Sequence, residues 1–175
     1  MNNLSNNLVL YLVICAAPPA QHMHEFIPVL QSAGWDVCVI ATPQATRWLS
    51  IADLETLTGH GVRTDYKLPG EADPLPKANA ILLMPATFNT INKWAQGIGD
   101  TLAASLLCEC LGRGTPPVVL VPCLKMDLVR HPAFSKSMSL LRECGVHILH
   151  DPERYPSPLM VPHEEIVAVL QAIKP

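Results

Sequence analysis

Polar side chains that could bind a ligand or take part in a reaction are concentrated in the stretch PATFNT, which directly follows the apolar run AILLM. Thr87 and Thr90 bring hydroxyls, and Asn89 brings an amide that either caps the next helix or hydrogen-bonds the edge of a ligand ring. More hydroxyls, those of Thr42 and Thr46, follow the apolar run WDVCVIA. Hydroxyls, backbone N–H groups and a helix N-terminus are the groups that hold a monophosphate. These residues therefore predict a site for a single phosphate carried by a flat heterocycle.

Other common sites lack their motifs in this sequence. No G-x-G-x-x-G follows a predicted strand, so a dinucleotide is not favoured, and no G-x-x-x-x-G-K-[ST] is present. None of the six cysteines forms a C-x-x-C pair with a second pair downstream, so we expect no zinc site.

The elements that must position these side chains alternate between strand and helix. Continuous apolar runs predict strands buried on both faces, and 3.6-residue periodicity predicts the helices between them. We predict strands at 8–14, 35–41, 79–84 and 116–122 with short ones at 61–66 and 146–149, and helices at 20–34, 88–96, 100–111, 131–145 and 163–174. Pro85 is expected to end the central strand, and 68–78 to form a loop. The prediction is an α/β fold with a parallel, doubly wound sheet in one domain, 1–175, with ligands at the carboxyl ends of the strands.

The composition excludes some partners. The net charge is −3, which gives no electrostatic case for nucleic acid or an anionic membrane surface. The run NLVLYLVICAA is as apolar as a signal peptide, but no Lys or Arg precedes it and it is too short to span a bilayer. We interpret it as a first buried strand and expect a cytoplasmic protein. The low fraction of charged residues, 15%, suggests an oligomer.

The stretch PATFNTINKWAQGIGDTLA resembles the P-A-[ST]-x-N-T…G-I-[AS]-D motif of the homo-oligomeric flavin-containing cysteine decarboxylases, which include phosphopantothenoylcysteine and lantibiotic peptidyl-cysteine decarboxylases. ATPQAT and HPAFSKSMSLLRECGVHIL are similar to further parts of that family, so that the resemblance covers residues 8–150. It implies a Rossmann-like, flavodoxin-type three-layer α/β/α fold. It also implies FMN bound between the subunits of a homotrimer, often assembled into a dodecamer.

Carried over position by position, the resemblance implies which residues contact FMN. Thr42 and Ala45 would lie near its phosphate, and Arg47 would either contact the phosphate or remain solvated. Gly97 and Asp100 would shape the adjoining turn and a trimer contact. The implied cofactor-binding residues are Ala16, Thr42, Ala45, Arg47, Pro85, Ala86, Thr87, Asn89 and Thr90.

Three features of the family pattern are missing. Glu71 stands where the family has its acid/base histidine, and PCLK replaces the P-A-M-N motif, which puts Cys123 and Lys125 at that strand end. The C-terminal clamp, with its cysteine and G-x-G-R-M-like run, has no counterpart in DPERYPSPLMVPHEEI. The candidate catalytic residues are therefore Glu71 as a base, Lys125 as a carboxylate partner and Cys123 as a redox thiol.

Three functions remain open at this point. The first is a flavin-dependent redox enzyme that acts on a small thiol- or carboxylate-bearing substrate. The second is a true cysteine decarboxylase in which Glu71 and Lys125 replace the histidine and the asparagine. The third is a flavin-binding regulatory subunit without catalytic activity.

Overall fold

A computed structural model describes residues 8–156 and 159–174. Its five strands are β1 (Leu8–Ile14), β2 (Trp35–Ala41), β3 (Ala80–Ala86), β4 (Val118–Pro122) and β5 (His147–Ile148). Its α-helices are α1 (Met23–Ser32), α2 (Ile51–Thr58), α3 (Phe88–Ala95), α4 (Leu102–Arg113), α5 (Met126–Val129), α6 (Pro132–Glu143) and α7 (His163–Ala172). Two 3-10 turns, Pro18–His22 and Ala45–Trp48, follow β1 and β2.

The strands form one parallel sheet in the order β2-β1-β3-β4-β5. Leu10, Leu12, Val13 and Ile14 of β1 are fully buried because helices cover both faces of the sheet. In the sheet, β2 and β3 lie on opposite sides of β1, so the strand order reverses direction at β1. The carboxyl ends of β1 and β3 therefore border the switch point, where doubly wound sheets bind ligands.

Two hydrophobic layers enclose the sheet and complete the predicted three-layer architecture. On one face, α1, α2 and α7 bury side chains such as Phe26, Leu54 and Leu170. On the other face, α3, α4 and α6 bury side chains that include Trp94 and Phe134. The sequence prediction of an α/β, Rossmann-like fold of the flavodoxin type is confirmed.

Two of the predicted elements are wrong. The segment 61–66 is not a strand: Arg63 alone forms a bridge to Ile40, with backbone bonds to β2 at 2.8 and 3.0 Å, before the chain turns away. Pro85 does not end the central strand, which continues to Ala86. The missing N–H of Pro85 is tolerated there because the register between β3 and β4 shifts between Leu83 and Ala86.

In the part of the chain that the structure describes, no helix combines the length and the apolar character needed to cross a bilayer.

Candidate functional site

A cleft of about 450 Å³ lies at the carboxyl ends of β1, β2 and β3, and we call it the β1–β3 cleft. It occupies the switch point, where parallel sheets of this topology bind ligands. Its walls come from the turns after the three strands and from the first residues of α3 and α4. The lining residues are Ala16, Thr42, Pro43, Gln44, Thr87, Asn89, Thr90, Lys93, Asp100, Thr101 and Ala104.

The corner between β3 and α3 is held by a short hydroxyl network. The Oγ1 atom of Thr87 caps α3 by accepting from the Thr90 N–H at 3.5 Å. The Thr87 hydroxyl and the Cys15 thiol both donate to Oγ1 of Thr90, at 3.2 and 3.3 Å. Thr87, and not Asn89, therefore caps the helix. The exposed Asn89 amide in the cleft wall remains available to a ligand.

Cys15 belongs to this network although it was not predicted as a site residue. It is 1% exposed, and burial raises the pKa of its thiol, so it remains a neutral hydrogen-bond donor. In the sequence it looks like one more small apolar residue at the end of β1. Only the approach of β1 and β3 brings it to Thr90.

A second helix N-terminus reaches the same cleft. Thr101 caps the 12-residue helix α4 by accepting from the Ala104 N–H at 3.2 Å. In the turn before it, the Asp100 carboxylate bonds the Lys93 ammonium of α3, which lowers the pKa of that carboxyl group. Gly99 suits this turn, since a Cβ atom there would lie 3.0 Å from Cα of Ser105, closer than side chains ordinarily pack. The sequence signal for Thr101 is a hydroxyl residue directly before a helical apolar pattern.

The predicted cofactor-binding residues are mostly brought together. Five of them line the cleft, namely Ala16, Thr42, Thr87, Asn89 and Thr90. Pro85, Ala86 and Ala45 are buried just behind the lining and shape it through the backbone. Arg47 is exposed on the turn after β2 and is not among the lining residues. Lys93, Thr101 and Ala104 line the cleft although they were not predicted.

The three predicted catalytic residues do not meet in this cleft. Glu71 is exposed, and its Oε2 accepts from the Leu68 N–H of its own loop at 2.9 Å. Lys125 is exposed just before α5. Cys123 lines a separate small cavity at the end of β4, and burial raises the pKa of its thiol. The structure therefore keeps Glu71, on the loop before β3, apart from Cys123 and Lys125, which share the short connection between β4 and α5.

A larger groove of about 690 Å³ runs between the start of α1 and α2, with the half-exposed Trp48 at its edge. Its lining includes none of the residues of β3 or of the turn after it, which carry the predicted ring-binding side chains. We therefore assign the candidate ligand site to the smaller β1–β3 cleft.

The β1–β3 cleft fits a flavin mononucleotide. Its volume falls within the roughly 300–1,000 Å³ of typical ligand sites. Small side chains at Ala16 and Ala104 leave room for a flat ring, while threonine hydroxyls and two capped helix N-termini supply donors for a phosphate. Lys93 and Asp100 neutralise each other in their ion pair, so Asp100 does not present an uncompensated charge to an anion.

The fold and the cleft define a doubly wound α/β protein with a candidate ligand site at its switch point. Residues 2–174 match the model of the Flavoprotein family, and the chain belongs to that family. The FMN expected from the sequence agrees with this assignment.

Among curated relatives, the coenzyme A biosynthesis bifunctional protein CoaBC of Bacillus subtilis (strain 168) is 31% identical over 132 residues. That match covers 72% of this chain but 32% of CoaBC, so the chain spans about a third of the relatives it matches.

Solved structures share the fold at low identity. MrsD from a Bacillus species gives a TM-score of 0.79 at 14% identity, with 95% of each chain covered. The FMN-dependent cysteine decarboxylase TvaF from thioviridamide biosynthesis gives 0.78 at 21% identity, covering 95% of this chain and 97% of TvaF. A PPC decarboxylase variant in complex with pantothenoylaminoethenethiol gives 0.76 at 14% identity, with 95% and 97% covered.

Proposed function

We propose that the β1–β3 cleft binds FMN noncovalently and that the protein is a flavin-dependent enzyme of the cysteine-decarboxylase type. The observation that carries this proposal is the convergence of five predicted cofactor residues in one cleft at the switch point of a Flavoprotein-family chain. FMN would supply an acceptor for electrons from the substrate. The protein's own residues bind and orient the reactants.

Each part of the cleft has a distinct role in this proposal. The Thr42 hydroxyl and the N-termini of α3 and α4 offer hydrogen bonds and positive partial charge to the phosphate. The exposed Asn89 amide offers a donor and an acceptor to the edge of the ring. The Cys15–Thr90–Thr87 network keeps the corner between β3 and α3 rigid beneath them.

The substrate proposed here is a small molecule or peptide end that carries a thiol and a carboxylate. One relative is named as a cysteine/cysteine sulfinic acid decarboxylase. It is 37% identical over 70 residues, which are 39% of this chain and 18% of that protein. This likeness favours carbon dioxide release over a purely redox reaction. We therefore rank decarboxylation above the purely redox reaction that the sequence analysis put first.

A homo-oligomer, a trimer or a dodecamer, is part of the proposal. Apolar side chains are exposed next to the cleft: Tyr66 at 53%, Leu68 at 68% and Ile98 at 47%. The hydroxyl of Tyr66 donates to the backbone oxygen of Thr101 in the cleft wall at 3.2 Å. A neighbouring subunit packed on these side chains would close the open side of the cleft.

One observation favours a second candidate, a flavin-binding regulatory subunit without activity. Glu71, Cys123 and Lys125 stand in for the family's catalytic groups, and none of them lines the β1–β3 cleft. If these residues carried the reaction within one chain, they would be expected there.

The first test is a visible spectrum of the purified protein with mass spectrometry of the material released by acid. We expect FMN at about one per chain, since the cleft is one site of ligand size. Carbon dioxide release from peptides ending in cysteine, measured on the yellow protein, then separates the enzyme from the regulatory subunit. A colourless protein that does not take up added FMN would remove the proposal.

A further inference from the structure

The buried thiol of Cys15 lies directly behind the wall of the β1–β3 cleft. Cys15 follows the last residue of β1, and its N–H donates to the Pro85 oxygen of β3 at 3.1 Å. Its side chain is 1% exposed and belongs to the hydrophobic layer that α3, α4 and α6 cover. The backbone bond and the packing therefore hold the sulfur atom next to Thr90, in the first turn of α3.

The Cys15 thiol keeps its proton and donates it to an oxygen atom of the cleft wall. Burial raises the pKa of this thiol, although hydrogen bonds from Thr90 and Thr87 act against that effect. The acceptor of the thiol proton is Oγ1 of Thr90, at 3.3 Å. The reverse bond is less favourable because sulfur is a weak acceptor, so the hydroxyl proton of Thr90 gains more from an oxygen or nitrogen atom elsewhere.

Oγ1 of Thr90 has both of its acceptor positions occupied from inside the protein. One position accepts the Cys15 thiol, and the other accepts the Thr87 hydroxyl at 3.2 Å. A hydroxyl group offers two acceptor lone pairs and one proton to donate. With both lone pairs in use, the Thr90 hydroxyl can meet a ligand only as a hydrogen-bond donor.

The hydroxyl proton of Thr90 has no acceptor among residues 8–156 and 159–174. Thr87 is not that acceptor, because its own hydroxyl proton lies between the two oxygen atoms. Thr90 is only 9% exposed, yet it lines the β1–β3 cleft. A largely buried donor without an acceptor costs stability, so this proton favours an acceptor atom of a ligand in the cleft.

The bond from Cys15 contributes orientation to the Thr90 hydroxyl. It fixes one of the three directions around Oγ1, and the bond from Thr87 fixes a second, which leaves the third direction for the proton. Without the thiol, the Thr90 hydroxyl is free to rotate between two directions. A ligand would then have to orient this hydroxyl when it binds, and that ordering costs affinity.

We propose that Cys15 is a positioning residue of the flavin site: by donating to Oγ1 of Thr90, it presents the Thr90 hydroxyl to FMN as a hydrogen-bond donor. This inference deepens the proposed function and rests on it. Cys15 acts on the ligand through Thr90 and does not itself line the cleft.

The first test needs no flavin: infrared difference spectra of the S–H stretching region, wild type against Cys15→Ala. A thiol that donates a hydrogen bond absorbs at a lower wavenumber than one that does not. The Cys15 band is expected below the band of Cys38, a buried cysteine of β2 to which the described residues give no side-chain hydrogen bond. Thr90→Val should raise the Cys15 band to the Cys38 position. Bands at the same wavenumber in the wild type would overturn the inference.

The second test measures the affinity for FMN by equilibrium dialysis. Cys15→Ala should weaken FMN binding about threefold to tenfold, the usual effect of losing one neutral hydrogen bond. Cys15→Ser keeps a donor at this position and should restore most of the affinity. Cys38→Ala is the matched control, because it removes a buried thiol from the neighbouring strand on the same face of the sheet. This control should bind FMN like the wild type.

A double-mutant cycle tests whether Cys15 acts through Thr90. In a Thr90→Val background, Cys15→Ala should cause no further loss of FMN affinity, since no hydroxyl is left to orient. The same loss in both backgrounds, or an equal loss in Cys38→Ala, would mean that Cys15 only fills space and would contradict the inference.

The outcomes separate this inference from the proposed function. Wild-type affinity for FMN in Cys15→Ala contradicts the positioning role of Cys15 and leaves FMN binding intact. A wild-type protein that binds no FMN removes the proposed function and the positioning role with it, even where the S–H band shows the bond to Thr90.

Discussion

The carboxyl ends of β3 and β4 carry comparable sets of polar residues but have very different support. After β3, Thr87 caps the eight-residue helix α3, whose Trp94 is fully buried with its Nε1 donating to the Leu107 oxygen at 2.8 Å. After β4, the four-residue helix α5 has no side-chain cap and buries none of its residues. Polar side chains line the candidate ligand cleft where a capped and anchored helix holds them, whereas Lys125 stays exposed at the strand end that lacks such a helix.

The largest expected effect concerns the anchor of α3. Trp94→Ala should lower the free energy of unfolding by about 3–5 kcal/mol, because it leaves a large cavity and removes the indole's hydrogen bond to the Leu107 oxygen. Urea denaturation followed by circular dichroism measures this change. Trp48→Ala is the matched control: Trp48 is 38% exposed, and its loss should cost far less. Equal losses in the free energy of unfolding for the two variants would contradict the role of buried Trp94 as the anchor of α3.

The next effect concerns flavin retention at the two strand ends. Asn89→Ala should weaken FMN binding about tenfold, the cost of one or two lost hydrogen bonds to the ring. Lys125→Met, at the end of β4, should leave FMN binding unchanged because Lys125 does not line the cleft. Equilibrium dialysis with FMN measures both variants. A fully yellow Asn89→Ala protein would contradict the placement of the ring.

A smaller effect tests the caps. Thr101→Ala removes the bond that caps α4 and should lower the free energy of unfolding by about 1 kcal/mol. Ser50 occupies the equivalent position before α2 without making a side-chain cap, so Ser50→Ala should change stability by only a few tenths of a kcal/mol. Thermal unfolding of both variants is the measurement. Similar losses in stability for the two variants would mean that the Thr101 side chain does not stabilise α4 by capping it.

Burial of the His150 imidazole should make the free energy of unfolding depend on pH. Since burial lowers the pKa of folded His150 below 6.5, the unfolded chain binds more protons near and below that pH. The free energy of unfolding should therefore fall as the pH drops below about 6.5. The slope should be shallower in His150→Phe and unchanged in His147→Phe, as measured by urea denaturation at a series of pH values. Parallel slopes in all three proteins would contradict the burial of a neutral imidazole.

The smallest expected effect is at Glu71. Glu71→Gln keeps the size of the side chain on an exposed loop, so stability should change by less than about 0.5 kcal/mol and FMN content should not change. Carbon dioxide release from a cysteine-ended peptide is the decisive measurement. Unchanged release would remove Glu71 from the mechanism, whereas a large loss would mean that an oligomer brings it to the reacting atoms.

Much of the fold was predictable from local patterns. The apolar runs of β1 and β2 were placed at the observed residues, because strands buried on both faces must be continuously apolar. The errors at Pro85 and at 61–66 arose where long-range pairing decides the outcome. A strand continues through Pro85 because the register shifts there, and Arg63 makes one bridge instead of a strand because the chain then leaves the sheet edge.

The sequence by itself determined the α/β class, the position of the main elements and the group of residues after β1, β2 and β3 that forms the cleft. Those features depend on residue type and on periods of two or 3.6 positions. Only the tertiary structure decided that Lys93 lines the cleft, that the buried Cys15 supports its wall through Thr90, and that Glu71, Cys123 and Lys125 stay apart from it. It also decided that Nε2 of His150 is buried. Contacts between distant segments follow from strand order and helix packing, which a local pattern does not encode.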